Sequence, residues 1–377
     1  MLQEDAMKKI FAAVALIVVL LTAYLTLWPV PVDPVQWIPP PSDGYTGPHA
    51  VNTGLAGLRM ISLGREEGPE HIAIGKDQKL YATVAGGKIL RMNQDGTQQE
   101  VYADTGGPVL GFDFDARGNI VAADVDRGLV LISPEKNITV LTDNVNGDPI
   151  RFADAVAVSQ SGKIYFTDAS TRFAPKQWGG IFPASMIDIL EQRSTGRVLE
   201  YDPAAQTTRI VAKGFSFANG VVLSEDENWL FVNETGKYRV WKISVTAQDL
   251  DIATPGKSAF ILFDNLPGYP DNLMRGLHGK IWLGFAKPRN PAIDQRVITS
   301  TPFMRKLTYR LPKFLWPLPK PYGHVLAFTE DGRIVADLQD PGGRYPETTG
   351  VTETADRLYI QSLHAKGIGW LPKDNVF

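Results

Sequence analysis

The chain has 377 residues, 44% hydrophobic and 21% charged, with a net charge of −3, 35 glycines, 27 prolines and no cysteine. That length buries a large core, and the composition excludes a disordered chain. The mixed, slightly acidic charge gives no basic footprint for nucleic acid, and the lack of cysteine excludes disulfides, thiolate metal sites and a cysteine nucleophile.

Residues 10–28 (IFAAVALIVVLLTAYLTLW) run 19 positions without a charge, roughly 28 Å of helix against a hydrocarbon core of ~30 Å. This predicts a transmembrane anchor over 10–30 behind a cytoplasmic tail of residues 1–9. Lys8 and Lys9 precede the run and Asp33 is the first charge after it. The positive-inside rule then puts the N-terminus in the cytoplasm and the rest of a single-pass protein on the extracytoplasmic side. The competing reading is a cleaved signal peptide that releases a secreted or periplasmic protein. Its apolar run would normally be shorter and end in a small-x-small site, whereas this one ends in Leu-Thr-Leu-Trp-Pro. Residues 31–44 are proline-rich and read as a stiff, extended spacer outside the core.

Residues 45–377 read as one domain. Tyr45 to Met60 lead into it and offer an outer closing strand. One pattern then recurs about six times: an apolar strand, a polar turn such as Asp-Gly or Asp-Glu-Asn, and a second strand rich in β-branched and aromatic residues. Copies begin at His71, Phe112, Ala155, Gly220, Asn272 and Val325. Such units at 40–60-residue spacing predict an all-β, six-bladed β-propeller carrying an N-terminal transmembrane helix. Two insertions interrupt the rhythm. Residues 171–195 contain SMIDILEQR at helical spacing, and residues 287–322 are basic and aromatic. Insertions of this length act as lids or binding loops, or are plain surface turns. In the second, Met304, Leu307, Leu311, Phe314, Leu315 and Trp316 can form one apolar face over the propeller mouth or on a membrane surface.

Acidic and amide residues stand where repeats begin: Glu70 in GPEHIAI, Asp154 in FADAVAV, Asn219 in FANGVVLS, Asp271 and Asn272 in YPDNLM. A single Asp or Asn before a strand is an ordinary turn former. Four or five at one point of successive repeats converge on one end of the central tunnel. Oxygen ligands without thiolates suit a hard cation, Ca²⁺ ahead of Mg²⁺.

These segments, with GRVLEYDP and LYIQSLHAKGIGWL, resemble the strictosidine synthase-like family from about Gly68 to Leu371. That family is one of the six-bladed calcium propellers, beside paraoxonase and the gluconolactonase/regucalcin group. The resemblance implies Ca²⁺ held by Glu70, Asn219, Asp271 and Asn272. Asp154 stands next to Ala153, where paraoxonase has a further Asn. Catalytic residues do not carry over. The paraoxonase-like histidine falls near Leu110 and Gly111, and the strictosidine synthase glutamate falls near Thr349, with Glu347 and Glu353 close by.

Five histidines are present: His49, His71, His278, His324 and His364. His71 directly follows Glu70 and is a candidate general base, although strand alternation would turn it away from the ligand side. His364, in a turn of the last repeat, is a second candidate, and Glu353 is the carboxylate alternative. His278 reads as an exposed turn, and His324 as the start of an inner strand. No GxSxG, GxxxxGK or HExxH motif occurs. The leading expectation is a membrane-tethered, Ca²⁺-dependent hydrolase of small-molecule esters or lactones. The rivals are a non-catalytic propeller displaying a binding surface and a condensing enzyme related to strictosidine synthase.

Overall fold

A computed structural model describes residues 2–290, 294, 301–316 and 318–376. Parts of the second insertion (291–293, 295–300 and 317) lie outside the described residues. Six sheets form a six-bladed propeller: blade 1 over 72–104, blade 2 over 109–142, blade 3 over 153–215, blade 4 over 218–263, blade 5 over 268–340 and blade 6 over 348–372. Blade 3 adds a fifth strand, Leu250–Asp251, parallel to Thr207–Phe215. The first strands of blades 2–6 touch one another in succession around the axis, and blade 1 completes the ring between blades 6 and 2.

The turns between first and second strands follow from their sequence. Asp115 Oδ1 accepts hydrogen bonds from the backbone N–H of Arg117 (2.8 Å) and Asn119 (2.9 Å), while Gly118 takes φ +84°. Asp77 and Asp226 repeat the arrangement in blades 1 and 4. A carboxylate that satisfies its own turn lets each pair of strands fold locally. The second strands of blades 1, 2 and 3 are buried throughout, so β-branched and aromatic side chains fill the space between blades. The exposed His278 occupies the corresponding left-handed turn of blade 5, at φ +58°.

Arg59–Ser62 is the outer strand of blade 6, antiparallel to Gly367–Pro372 with Ile61 opposite Ile368. The pair joins Ile72, Leu80 and Tyr359 in one core cluster across the seam between blades 6 and 1. Full burial of such an aliphatic side chain contributes about 1.5–3 kcal/mol.

Two repeats fall differently from the sequence expectation. The segment from Val325 is the third and fourth strands of blade 5, so His324 opens a third strand and not an inner one. The sixth blade is Thr348–Pro372 closed by Arg59–Ser62. Its first strand, TTGVTE, has no apolar run to announce it.

Four α-helices lie wholly within the described residues: α1 (Leu2–Leu27), α2 (Pro175–Trp178), α3 (Ile181–Glu191) and α4 (Pro302–Arg310). Over Glu4–Leu27, α1 is long and apolar enough to cross a membrane. It starts eight residues before the expected anchor and stops three before its end. Helices α2 and α3 link the second and third strands of blade 3, and α4 lies in the same connection of blade 5. First strands begin at one face of the ring and second strands end there, so both insertions rise over the same mouth.

The spacer is packed on this lid and does not stand free. The N–H groups of Asp33 and Val35 donate to Glu191 Oε1 (2.7 Å) and Glu191 O (2.9 Å), and Val32 is buried. Arg305 donates to Trp37 O at 2.9 Å and to Leu190 O at 2.8 Å. Arg310 donates to Leu25 O (3.0 Å) and Trp28 O (2.6 Å), satisfying carbonyls that the end of α1 leaves free. The buried side of α4 is therefore Arg305, Thr308 and Arg310, not the expected apolar face. Phe314 and Leu315 are exposed, and only Trp316 turns toward the mouth.

Candidate metal and substrate site

The first strands of blades 2–6 carry a register shift at their mouth end, between Val109 and Phe112, Ala153 and Val156, Ala218 and Val221, Pro270 and Leu273, and Thr348 and Val351. Each bulge breaks simple alternation and re-aims one side chain. Matching these registers to Ile72 opposite Ala82 in blade 1 aligns six positions around the axis: Glu70, Leu110, Asp154, Asn219, Asp271 and Thr349. Three carboxylates, an amide, a hydroxyl and one leucine ring the mouth. The backbone is packed closely behind Leu110 and Asn219, where Gly111 and Gly220 follow. A Cβ on Gly220 would lie 2.3 Å from the backbone nitrogen of Leu273, so only glycine fits there.

Glu70, Asp154, Asn219 and Asp271 line one cavity of about 310 Å³. Asp154, Asn219 and Asp271 are buried. Asn219 Nδ2 donates to Asp271 Oδ1 at 3.0 Å, and Asn219 Oδ1 is buried with no partner. Among the described residues no Lys or Arg pairs with the three carboxylates. Burial first, then the neighbouring Asp271 and Asp154 charges, push Glu70 well above the usual carboxylate range. Burial and Asp271 raise Asp154 likewise. Burial raises Asp271 to about 7, against the Asn219 hydrogen bond. Clustered carboxylates without a counter-charge, beside an orphaned amide oxygen, fit a bound cation with oxygen ligands. Asn272 stands one position behind the ring. It is buried and turned to the backbone, its Nδ2 donating to Glu70 O at 3.1 Å. Thr349 Oγ1 donates to the same carbonyl at 2.7 Å, and the ring has no carboxylate at that position.

Above the ring the cavity is apolar. Trp37 comes from the spacer, Phe182 and Met186 from α3, Phe217 and Tyr269 from blades 4 and 5, and Trp316 from the lid. A cavity that excludes water on most sides and converges polar groups at its floor is built for a small, largely apolar ligand.

The candidate bases divide. His364 lies in the connection between the second and third strands of blade 6 and lines the mouth. Its Nδ1 pairs with Glu347 Oε2, and Lys287 pairs with Glu347 Oε1. The Glu347 hydrogen bond raises the His364 pKa. Against the upward push of burial, His364 and Lys287 bring Glu347 down to about 2. Sequence reading named Glu347 only as a neighbour; Lys287 escaped it because the contact spans 60 residues.

His71 takes the second, blade-facing position. It is buried against Phe112 at 4.8 Å between ring centroids, and burial lowers its pKa to about 4. Strand geometry turns it away from the cavity, which corrects its expected role as a base. Glu353 is corrected too. It ends the first strand of blade 6 on the opposite face, where Lys280 (2.7 Å), Lys373 (2.6 Å) and Trp282 Nε1 (2.8 Å) surround it.

The chain is similar to known proteins over most of its length. Residues 154–248 match the strictosidine synthase family model, and residues 47–92 match the model for the strictosidine synthase-like N-terminal region. Strictosidine synthase-like protein 7 of Arabidopsis thaliana is 32% identical over 322 residues, covering 80% of each chain. Adipocyte plasma membrane-associated protein of Danio rerio is 28% identical over 344 residues, covering 85% of this chain and 79% of the relative. A gluconolactonase of Xanthomonas campestris shares the fold, with a TM-score of 0.60 at 18% identity over 92% of this chain and 99% of that one.

Proposed function

Since the chain belongs to the strictosidine synthase-like family of propellers, we propose that it is a membrane-anchored hydrolase of small-molecule esters or lactones that works with Ca²⁺ at the tunnel mouth. One observation carries the reading. Three carboxylates with raised pKa values and an unpartnered amide oxygen form the floor of an apolar cavity, and a paired histidine stands at its rim.

Glu70, Asp154, Asn219 and Asp271 would hold the ion, and Asn272 would fix the Glu70 backbone behind it. Bound there, Ca²⁺ supplies a Lewis acid for an ester or lactone carbonyl. The aromatic walls orient the acyl or ring portion and exclude bulk water. His364 Nδ1–H donates to Glu347, which leaves Nε2 free to take a proton from an attacking water. Glu347, held anionic by Lys287, stabilises the imidazolium that results. Collapse of the tetrahedral adduct breaks the ester bond, and His364 returns the proton to the leaving alkoxide. Leu110, where the paraoxonase-like histidine would fall, contributes only apolar wall. Thr349 offers no carboxylate for a condensing reaction of the strictosidine type.

The charge pattern around α1 supports a cytoplasmic N-terminus and a propeller on the other side. The test uses the full chain in detergent on a panel of aryl esters and lactones, with Ca²⁺ and after chelation. Ca²⁺-dependent hydrolysis that Asp271→Ala removes supports the proposal. Equal inactivity of wild type and Asp271→Ala across the panel overturns it in favour of a binding module.

A further inference from the structure

Among the described residues, the one group of three His or acidic ligating atoms lying within 4.8 Å of one another is outside the tunnel. It sits on the outer half of blade 5. His324 opens the third strand (Gly323–Thr329), Asp337 lies in the fourth (Ile334–Asp340), and His49 ends the short 3₁₀ turn Gly47–His49 in the stretch leading from the spacer. His49 Nδ1 and His324 Nε2 both approach the same oxygen, Asp337 Oδ2, at 2.9 Å.

The surroundings hold this convergence in place. Asp337 Oδ1 accepts from Gln339 Nε2 at 2.6 Å and from Asn52 Nδ2 at 3.2 Å, which leaves Oδ2 to the two imidazoles. The His324 ring is 1% exposed and lies flat on Phe285, with centroids 4.3 Å apart, so stacking fixes its orientation. Nδ1 of that ring has no partner. Tyr45 packs on the other side of His324 at 5.4 Å, and its hydroxyl is buried without a hydrogen bond.

Two imidazole nitrogens and one carboxylate oxygen make a borderline donor set. It suits Zn²⁺, whose sites are tetrahedral with N and O ligands, and suits Ca²⁺ poorly. At ordinary Zn–N and Zn–O lengths, tetrahedral ligand atoms stand about 3.3 Å apart. Each imidazole nitrogen therefore needs to withdraw by only about 0.4 Å from Asp337 Oδ2, now 2.9 Å away, while the two nitrogens, already within 4.8 Å of each other, settle at the same spacing. Asn52 and Gln339 then play the part of outer partners that orient a ligating carboxylate. We propose that His49, His324 and Asp337 form a Zn²⁺ site, completed by water, that staples the lead-in segment to the outer edge of blade 5. The site is independent of the tunnel ligands and of the hydrolase reading.

The test is metal binding by the full chain in detergent after chelation. Co²⁺ serves as the spectroscopic probe and Zn²⁺ as the competitor. The expected result is one Co²⁺ per chain with the intense visible bands of a tetrahedral site, bleached by Zn²⁺, and slower proteolysis within residues 31–52 when Zn²⁺ is present. His324 is buried and its variants can misfold, so the primary variant is the more accessible His49→Ala. It should weaken Zn²⁺ at least 100-fold, and Asn52→Ala should cost about 10-fold. Asp271→Ala should leave the Co²⁺ spectrum unchanged. A wild-type protein with no tetrahedral Co²⁺ spectrum overturns the proposal, as does equal Zn²⁺ affinity in wild type and His49→Ala.

Discussion

Thr349 Oγ1 lies 2.7 Å from the carbonyl oxygen of Glu70, joining the last inner strand of the ring to the start of the first. Asn272 reaches the same carbonyl at 3.1 Å. The position of the Glu70 carboxylate thus depends on blades 5 and 6, through contacts 202 and 279 residues away in sequence. Thr349→Val removes the shorter bond and should cost about 0.5–1.5 kcal/mol in denaturant unfolding. It should also weaken any Ca²⁺-induced rise in Tm, because Glu70 loses a support. An unchanged Ca²⁺ response would separate the contact from the metal site.

Ca²⁺ should raise Tm, by about 2.7 kcal/mol of added stability at 100 times Kd. Asp271→Asn should abolish most of that gain. In chelator the same variant should be more stable than wild type near neutral pH, because it removes one of three clustered carboxylates that have no counter-charge. Thermal melts of both proteins with and without Ca²⁺ give all four values. A wild-type melting point indifferent to Ca²⁺ would remove the ion from the mechanism.

Activity should increase with pH through the His364 transition, since the neutral imidazole is the base and Glu347 has raised its pKa above 6.5. His364→Ala should lower kcat/KM by roughly 10²–10⁴-fold. Glu347→Gln should shift the ascending limb to lower pH, because the partner that raised the pKa is gone. For stability the sign is opposite. A His with a raised folded pKa stabilises fully below about 6.5 and loses that contribution as pH passes its folded value. At 60% exposure of His364 the effect stays within about 1 kcal/mol.

Arg305→Ala should unfasten the lid. Its guanidinium is buried and ties α4 to the end of α3 and to Trp37. Loss of both bonds should cost about 1–3 kcal/mol and raise KM more than it lowers kcat, since Trp37 and the α3 residues shape the cavity wall. Steady-state kinetics on a hydrolysed ester checks the split.

Glu353→Gln should leave kcat/KM unchanged in folded protein while lowering stability by about 3 kcal/mol, because Lys280 and Lys373 lose a buried counter-charge. A catalytic loss without a stability loss would restore Glu353 to the chemistry.

The turn-and-strand repeat carried the fold because it is local: Asp115 completes its turn within four residues. The ring positions were legible for a related reason. A polar residue before an apolar strand stands out, as at Asp154 and Asn219. What stayed hidden depended on distant contacts or strand phase. The bulges that point Asp271 into the mouth leave no trace in composition. His71 and Glu353 were misjudged because sequence proximity does not tell one face of a strand, or one end of it, from the other. In sequence Arg305 and Arg310 only add positive charge to the basic second insertion, and the packed lid shows them bonded to the spacer and to α1.

The outer strand of blade 6 comes from residues 59–62, yet its partner starts about 300 residues later at Gly367. At ~5–20 residues per second, a ribosome delivers that partner roughly 15–60 s after Ser62 is made. Through that interval five blades can form, but the seam between the first and last stays open, with Ile61 and Leu80 uncovered. Glu70 also lacks the Thr349 bond until then. The interval of greatest vulnerability to aggregation is therefore also the one in which the mouth is unformed, and both end with the synthesis of blade 6.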